Sequence, residues 1–442
     1  MVLDELKSLL KENGIVGAGG AGFPTYAKLS YDVNTVILNG AECEPLFRVD
    51  RNLLKEEAYK ILKGLDIIVE ILGAKEGIVA FKEHYKGANV AVDKEIYKFN
   101  KLRKFLLKDG YPAGDEVVLV YEAIKKIVPQ GGIPLNVGVM VVNVETVLNV
   151  YKAVIENTPV THKYLTVGGA VNEPKTICAP IGIKFKELLK EVSGTTIEDF
   201  KVLIGGPMTG RFGNLNDTVT KTTKGIFIIP KDNPIVANRE IKLSVELKRA
   251  MGVCSQCRMC TDLCPRYNLG HKIEPHKIMN SLAFGLNYNT DVFINAFGCS
   301  GCNLCSSYSC HQGLNPKAII DELKVRFKKN GIKPIKINDV KVKRDREYRR
   351  VPVKRVLSRL SLSKFDKEAE IFEFSGEIKN LKINLLQSIG KAPYPVVKVN
   401  ETVKKNQVIA KIDDSLGVYL HSPINGRVKS ISNEFIEINM EV

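Results

Sequence analysis

Eight of the ten cysteines lie between positions 254 and 310, in two runs of similar spacing. The first run reads Cys254-Ser-Gln-Cys257-Arg-Met-Cys260-Thr-Asp-Leu-Cys264-Pro265, and the second reads Cys299-Ser-Gly-Cys302-Asn-Leu-Cys305-Ser-Ser-Tyr-Ser-Cys310. Three cysteines at successive three-residue steps can surround one face of a cubane, so that their thiolates reach three of its irons. The fourth ligand must then come from elsewhere. The spacing predicts two [4Fe–4S] clusters around which this part of the chain folds.

The fourth cysteine of each run resembles that of bacterial two-cluster ferredoxins, which ligates the other cluster and is usually followed by proline. The second run departs from this pattern, because four residues separate Cys305 from Cys310, and His311 follows where a proline is usual. We expect His311 to be a polar neighbour rather than a ligand, because four thiolates complete each site. The resemblance implies one cluster on Cys254, Cys257, Cys260 and Cys310, and a second on Cys299, Cys302, Cys305 and Cys264.

Two other interpretations of the cysteines compete with this one. Zinc prefers pairs of CxxC knuckles separated by a dozen or more residues over three cysteines in series. A disulfide framework is typical of small secreted domains, whereas this chain has 442 residues. Its first five residues include acids and lack a signal-peptide core. We therefore expect a reducing, cytoplasmic location, in an organism that avoids oxygen.

Length and charge set the broad organisation. The length predicts about three domains. The sequence contains no run of eighteen apolar residues, so we do not expect a transmembrane segment. The net charge is +16, and residues 323–355 hold fourteen Lys or Arg against three acids. A solvated basic surface, a docking site for an acidic electron-transfer partner and nucleic-acid binding are the alternatives. We do not expect nucleic acid, because no aromatic residues interleave the charges.

A glycine-rich loop follows the first predicted helix. Residues 2–12 carry leucines at helical spacing, which predicts a core helix or, less favoured, a helix that targets a protein shell. The next segment, Gly17-Ala-Gly-Gly-Ala-Gly-Phe-Pro-Thr25, matches G-x-G-x-x-G but precedes a predicted strand, 35–38, instead of following one. This order of elements is not that of a simple dinucleotide-binding fold, in which the glycine loop follows a strand. Its glycines still allow backbone N–H groups to approach a phosphate closely.

Polar residues then cluster where predicted strands end, as at a ligand rim in an α/β sheet. Four such stretches together resemble the flavin-binding subunit of respiratory complex I. They are Gly17–Thr25 with Lys28, Asn39-Gly-Ala-Glu-Cys-Glu-Pro45, Gly114-Asp-Glu116 and Asn143-Val-Glu-Thr146. The chain departs from that pattern at Ala18, Ala41 and Val142, where the family has Arg, Asp and Asn.

The resemblance implies an FMN held without a covalent bond in the glycine loop, with NADH stacked on the flavin. The residues implied to line this site are Gly17, Gly19, Gly20, Gly22, Lys28, Asn39, Glu42, Gly114, Asn143 and Thr146. Those implied to face NADH are Phe23, Glu44, Asp115 and Glu116. No side chain is implied to act as a catalytic acid or base.

Later segments resemble other known units. Residues 159–232 resemble a soluble-ligand-binding β-grasp module, in which Gly205-Gly206-Pro207 is either a structural turn, which we favour, or a ligand loop. Residues 378–442 resemble the barrel-sandwich hybrid of biotinyl and lipoyl domains, with Asp413-Asp414-Ser415 where those carry a modified lysine. The predicted fold class is α/β multidomain, in this order: an FMN/NADH-binding α/β domain (1–158), the β-grasp domain (159–232), a helical ferredoxin-like domain with two [4Fe–4S] clusters (233–330), a basic linker (331–377) and the all-β domain (378–442).

Two families combine all these parts. One is the peripheral NADH-side subunit of the Rnf ion-pumping complex, which carries its barrel-sandwich domain at the N-terminus. The other, which the chain resembles more closely, is the cobalamin reductases of propanediol-utilisation microcompartments. The latter resemblance implies electron transfer from NADH through FMN and two clusters to a corrinoid. It also implies a corrinoid adenosyltransferase as a partner and a microcompartment as a location. The Rnf resemblance implies instead an electron-transfer subunit that serves another reductase or a membrane complex.

Overall fold

The computed structural model describes residues 1–286 and 290–441. The first unit is a four-stranded parallel sheet in the order β3-β2-β1-β4, formed by β1 (Thr35–Gly40), β2 (Glu76–Lys82), β3 (Leu102–Leu107) and β4 (Val139–Asn143). Six helices accompany it: α1 (Leu3–Glu12), α2 (Val49–Glu56), α3 (Ala58–Leu72), α4 (Lys86–Glu95), α5 (Glu116–Ile124) and α6 (Val144–Ile155).

Both faces of this sheet are covered, which explains why its strands are almost continuously apolar. Ile37 and Ile78 belong to the same buried cluster as the apolar side chains of α5. Leu38 and Val79 point the other way and join the larger cluster that contains residues of α1, α3 and α6. The parallel strands all end at one edge of the sheet, and the polar rim lies there.

The second unit is a mixed sheet in the order β10-β6-β5-β9-β7-β8. Its elements are β5 (His162–Gly169), β6 (Lys175–Pro180), α7 (Phe185–Glu191), β7 (Phe200–Ile204), β8 (Arg211–Gly213), β9 (Gly225–Pro230) and β10 (Ile371–Glu373). β10 pairs in parallel with β6, so the stretch predicted as a linker supplies an edge strand.

The cysteine runs lie in a third, helical unit. Its helices are α8 (Pro234–Glu240), α9 (Leu243–Val253), α10 (Met259–Asp262), α11 (Pro265–Asn268), α12 (Pro275–Ala283), α13 (Thr290–Ile294) and α14 (Pro316–Lys329). A small core that includes Ala250, Ile278 and Ile320 holds α9, α12 and α14 together. The cysteines flank these helices and lie in the turns between them.

The predicted basic linker, 331–377, is packed over part of its length. It contains α15 (Val353–Arg359), and Val356 and Leu360 are buried in an apolar cluster shared with the β-grasp unit. Arg346 is also buried, where its guanidinium pairs with Glu122 of α5. A solvated surface therefore does not describe Arg346.

The last unit consists of two small antiparallel sheets, in the orders β11-β17-β16-β13 and β12-β14-β15. The strands are β11 (Asn380–Asn384), β12 (Tyr394–Pro395), β13 (Thr402–Val403), β14 (Val408–Lys411), β15 (Leu420–His421), β16 (Gly426–Ile431) and β17 (Phe435–Met440). This unit contacts the N-terminal part of the chain: Ile389 N donates to Gly22 O at 2.9 Å, and Tyr419 N donates to Lys11 O at 3.1 Å.

Among the described residues, no helix combines the length and the apolar character that crossing a bilayer requires.

Candidate cofactor sites

The glycine loop closes on itself between α1 and β1. Gly17 N donates to Phe23 O at 2.9 Å, and Gly22 N donates to Gly17 O at 3.2 Å. Gly20 has φ +119°, a conformation that residues with a Cβ rarely adopt. Thr146, in the first turn of α6, fixes the loop because its Oγ1 accepts from Ala18 N at 2.9 Å. The loop backbone is thereby held at the carboxyl edge of the sheet.

A cavity of about 230 Å³ opens beside this loop. It continues into a second cavity of about 520 Å³, and Lys224 and Glu44 line both. Eleven of the fourteen predicted cofactor-binding residues line the first cavity: Gly17, Gly19, Phe23, Lys28, Asn39, Glu42, Glu44, Gly114, Glu116, Asn143 and Thr146. Gly20 lines the second. The structure brings these residues together, and the role of each remains a prediction.

Two predicted residues lie outside both linings. Gly22 packs against Thr222, whose methyl would lie 2.8 Å from a Cβ at this position. Asp115 is the N-cap of α5, where Oδ1 accepts from Val117 N at 3.0 Å. Its other oxygen pairs with Arg266 of the cysteine unit at 3.0 Å. These contacts explain both residues without a ligand.

Several predicted residues hold one another in place. Lys28 Nζ donates to Glu116 Oε1 at 2.9 Å and to the carbonyl of Val141 at 3.3 Å. Asn39 Nδ2 donates to Gly114 O at 2.9 Å. A Cβ on Gly114 would lie 3.0 Å from Asn39 Oδ1, so glycine is required for this close approach.

The sequence reasoning missed a buried ion pair at the edge of the cavity. Lys224, which follows β8 in a loop, pairs with Asp50 of α2, and both side chains are almost fully buried. Asn143 Nδ2 donates to both oxygens of Asp50, at 3.1 and 3.0 Å. Asp50 stands within the polar rim, but no sequence pattern marks Lys224, because the two residues meet only in the fold.

Burial and neighbouring cations have opposite effects on the pKa values of two carboxyl groups in the cavity. Burial acts to raise the pKa of Glu42, but Arg51 and Lys224 outweigh it and the pKa is lowered. Burial raises the pKa of Asp50 despite the attraction of Lys224. Glu42 also has φ +43°, an uncommon conformation for a residue with a side chain. Its Oε1 accepts from Asp50 N at 2.8 Å, which secures this conformation.

The residues present fit a flavin nucleotide. Thr25 lines the first cavity and is 2% exposed, and its Oγ1 has no hydrogen-bond partner among the described residues. A buried hydroxyl without a partner is rare in proteins, so a ligand is the natural acceptor or donor for it. The two joined cavities reach the size range of cofactor pockets. The loop amides and Lys224 suit a phosphate.

The eight cysteines fall into two groups in space. Cys254, Cys257, Cys260 and Cys310 line one small recess together, and we call them the outer quartet. Cys264, Cys299, Cys302 and Cys305 form the inner quartet, because Cys264 and Cys299 are the thiol neighbours that act on the pKa of Cys302. This grouping has the crossover of the predicted ligand sets, whose assignment to clusters remains a prediction.

Burial in the inner quartet disfavours ionised thiols that have no positive charge beside them. Burial raises the pKa of Cys264 to about 12 and that of Cys302 further. Iron binding supplies the positive charge that would stabilise such thiolates. Among the described residues, no three His, Cys, Asp or Glu side chains converge on a position for a single metal ion. The donor set, four sulfurs in each group, is the one that a cubane uses.

A short series of contacts joins the flavin cavity to the inner quartet. The Tyr111 hydroxyl donates to the carbonyl of Cys302 at 2.5 Å. Tyr111 belongs to the same buried cluster as Phe47, which lines the cavity. Asn303 Nδ2 adds a bond to Met208 O at 2.9 Å. The inner quartet is thus the one packed against the flavin cavity.

The β-grasp turn also reaches the cavity. Glu44 accepts from Met208 N at 2.8 Å and from the Thr209 hydroxyl. A Cβ on Gly206 would collide with the Glu44 carboxylate. Gly205 and Gly206 line the second cavity, so this turn is both a structural element and part of a cavity wall.

Comparison with known proteins gives full-length relatives. The chain is 37% identical to cobalamin reductase PduS of Salmonella typhimurium over 440 residues, covering 98% of this chain and 96% of the relative. The chain belongs to the PduS family of cobalamin reductases. The PduS protein of Citrobacter freundii is 36% identical, with the same coverage. A component of the Na⁺-translocating ferredoxin:NAD⁺ oxidoreductase complex of Acetobacterium woodii is 33% identical over 60% of this chain and 58% of its own length.

Three family descriptions match parts of this PduS-family chain. "Nuo51 FMN-binding domain" matches residues 10–152, "4Fe-4S dicluster domain" matches 253–315, and "RnfC Barrel sandwich hybrid domain" matches 364–442. The first range contains all fourteen predicted cofactor-binding residues, and the second contains all eight cysteines. The matches confirm the predicted family, the fold class, and FMN and iron–sulfur clusters as cofactors. The domain boundaries remain predictions.

Proposed function

We propose that this PduS-family chain is an NADH-dependent cobalamin reductase that passes electrons from NADH through FMN and two [4Fe–4S] clusters to a corrinoid. Full-length similarity to proteins named cobalamin reductase supports this over the Rnf-type alternative, whose relative aligns with only 60% of the chain. The observation that carries the proposal is the Tyr111–Cys302 hydrogen bond, because Tyr111 packs in one buried cluster with Phe47 of the cavity wall and so connects the cavity to a cysteine quartet.

FMN, when bound, accepts the two electrons of a hydride together and releases them singly, which is what one-electron clusters require. The chain supplies the positions. We assign the loop amides and Lys224 to phosphate binding, and Thr25 and Asn143 to orienting polar groups of the flavin. Phe23 and Glu44 lie at the cavity wall where the nicotinamide would approach.

Charge within the cavity is balanced by the protein itself. Lys224 compensates Asp50, and Arg51 donates to Glu42 at 3.1 Å. These groups are held by hydrogen bonds before a ligand arrives, so little reorganisation accompanies electron transfer. No side chain would need to exchange a proton with the substrate, because a bound FMN would take up the hydride of NADH itself.

The balance is simple. Each NADH becomes NAD⁺ and a proton and supplies two electrons, which reduce two acceptors by one electron each or one acceptor by two. The test is anaerobic reconstitution with iron, sulfide and FMN, followed by NADH addition and then hydroxocobalamin. We expect flavin bleaching by NADH and the spectrum of a reduced corrinoid. Bleaching without corrinoid reduction would contradict the corrinoid as acceptor, and no bleaching would contradict the NADH-linked flavin.

A matched pair of variants locates the flavin chemistry. Thr25→Val removes the hydroxyl that faces the cavity, and we expect FMN to bind several-fold more weakly, because a charge-free hydrogen bond contributes about 1 kcal/mol. Thr158→Val is the control, because its hydroxyl bonds to the carbonyl of Glu156 on an exposed turn. Equal FMN affinity in both variants would remove Thr25 from the site.

We also propose that the chain acts in association with a microcompartment, as the family resemblance implies. Helix α1 is a poor candidate for a shell signal, because Leu3, Leu6 and Leu10 are buried in the main core. Another surface would then bind the shell. Co-purification with shells, compared between the full chain and a variant with Lys7→Glu on α1, tests this. Loss of association in the variant would restore α1 as the signal.

A further inference from the structure

The two cysteine quartets differ in how they meet solvent. Tyr111 and the cluster around it cover the inner quartet on its flavin side, and the Cys305 side chain is buried. In the outer quartet Cys257 is exposed. Cys257 is the one exposed thiol among the eight cysteines of the two quartets, whereas the inner quartet has three half-buried thiols and one buried thiol, so the outer quartet lies nearer to solvent.

Exposed apolar side chains lie on α9 and on both sides of Cys254 and Cys257 in sequence. Four side chains of α9, its C-terminal end and the first cysteine run are each more than 40% exposed: Val245, Met251, Val253 and Met259. The recess of the outer quartet is lined by its four cysteines and by residues that include His276, Met279 and Leu314, and a cluster held by the cysteines would lie there. What remains beside the cluster is this open surface. Clustered exposed apolar side chains mark an interaction site.

Positive charge flanks the same surface. Lys248 is exposed on α9, one turn before Met251. Arg359, at the end of α15, is exposed and donates to Cys310 O at 3.3 Å. The neighbouring Arg249 pairs with Glu246, whereas no ion pair to a carboxylate involves Lys248 or Arg359 in the part of the chain that the structure describes. Unpaired cations around an apolar centre complement an acidic partner with an apolar centre.

We infer that electrons leave the protein at the outer quartet, and that Val245, Met251, Val253 and Met259, with Lys248 and Arg359, form the docking surface for an acidic protein that takes up single electrons. This inference rests on the proposed function for the source of the electrons. It adds the order of the two clusters, inner then outer, and the surface where the acceptor binds. One electron passes from the reduced outer cluster to each acceptor molecule.

The test uses the reconstituted full-length protein and flavodoxin, a small acidic protein that accepts one electron, as the probe. The clusters are reduced with dithionite, the excess is removed, and their reoxidation by flavodoxin is followed by stopped flow. This arrangement does not depend on NADH. The variant is Lys248→Glu/Arg359→Glu, and its control is Lys86→Glu/Lys94→Glu on α4, which makes the same change in net charge at exposed lysines of another unit.

We expect the second-order rate constant at low salt to fall about tenfold in the docking-surface variant and less than about twofold in the control, with the difference shrinking as salt screens the charges. Calorimetric binding of oxidised flavodoxin should weaken in parallel. Met251→Ser/Met259→Ser should slow transfer at every salt concentration. Iron content per chain shows that the clusters are intact.

Equal rates in the two charge variants would overturn the inference. So would an unchanged flavodoxin rate combined with slower reoxidation by hydroxocobalamin, because the surface would then serve free corrinoid. Failure of the proposed function has a different signature. In that case NADH reduces nothing, while dithionite-reduced protein still loses its electrons to flavodoxin in the manner described.

Discussion

Replacing Lys224 with methionine should destabilise the protein and weaken FMN binding together. Lys224 and Asp50 are 5% and 1% exposed and pair across the boundary between the flavin and β-grasp units. In Lys224→Met the Asp50 carboxylate keeps its two hydrogen bonds from Asn143 but loses its only close cation among the described residues. The methionine adds no charge to replace it.

Removing one partner of a buried ion pair costs about 3–5 kcal/mol. For a domain of about 150–250 residues, each kcal/mol lowers the melting temperature by about 2–4 °C. The lower cost therefore predicts a fall of about 6–12 °C in the transition that contains the flavin unit. Burial already raises the pKa of Asp50, so the carboxyl of the variant takes up a proton more readily, and the loss should be smaller in mild acid.

The assay is calorimetry of the protein without cofactors, with a parallel FMN titration. Asp50→Asn/Lys224→Met removes the uncompensated charge, and we expect it to recover more than half of the lost stability. FMN affinity should stay low in the double variant, because the lysine itself faces the cavity. Lys60→Met is the control: its pair with Glu156 is partly exposed and worth less than about 1 kcal/mol.

Two results would refute this reasoning. If Lys224→Met melts within about 2 °C of the parent, the pair carries none of the expected free energy. If the double variant binds FMN as tightly as the parent, Lys224 serves only to compensate Asp50 and has no contact with the cofactor.

Three further predictions follow from single contacts. Gly206→Ala should lower the melting temperature and weaken NADH binding, because its Cβ would displace Glu44 from the cavity wall; unchanged NADH binding in a fluorescence titration would contradict this. Burial lowers the pKa of Lys221 to about 7, far below the value of about 10.4 in an unfolded chain. Between about pH 7 and about 10.4 the unfolded state therefore binds one more proton than the folded state, and the free energy of unfolding rises with pH. Lys221→Met should abolish that rise. If calorimetry at several pH values shows the same dependence of stability on pH in the parent and in the variant, the idea is wrong. Cys310→Ala should remove the outer cluster and about half of the iron while NADH still reduces the inner cluster in EPR spectra; loss of both clusters' signals would contradict the separate quartets.

The sequence was sufficient where a function depends on local spacing. Steps of three residues predicted two clusters, and the resemblance to two-cluster ferredoxins implied the exchange of their fourth cysteines. The two spatial groups agree with this exchange, and the ligand sets remain predictions. The glycine loop was equally legible, since Gly20 and its neighbours need backbone conformations that few residues adopt. The apolar run predicted as strand 35–38 is part of β1.

Contacts between distant residues were not predictable. Lys224 lies 174 positions from Asp50, and nothing in its own neighbourhood differs from a surface lysine. Asp115 shows the opposite case. Its Gly-Asp-Glu context implied a nucleotide contact, but the same residue type is a favoured N-cap, and the structure places it in that role with Arg266 beside it. The packing of residues 331–377 was not predicted, because the many Lys and Arg residues of this segment indicated an exposed linker.

The bond from Ile389 N to Gly22 O ties the beginning of the chain to its end. During translation the glycine loop leaves the ribosome early, whereas Ile389, which lies between β11 and β12, is made after every residue that lines the first cavity. Nascent chains fold domain by domain from the N-terminus, so this loop lacks its bond to Ile389 until residue 389 has been made. We expect FMN to be loaded only onto finished polypeptides, and premature termination to yield colourless protein even when every residue that lines the cavity has been made.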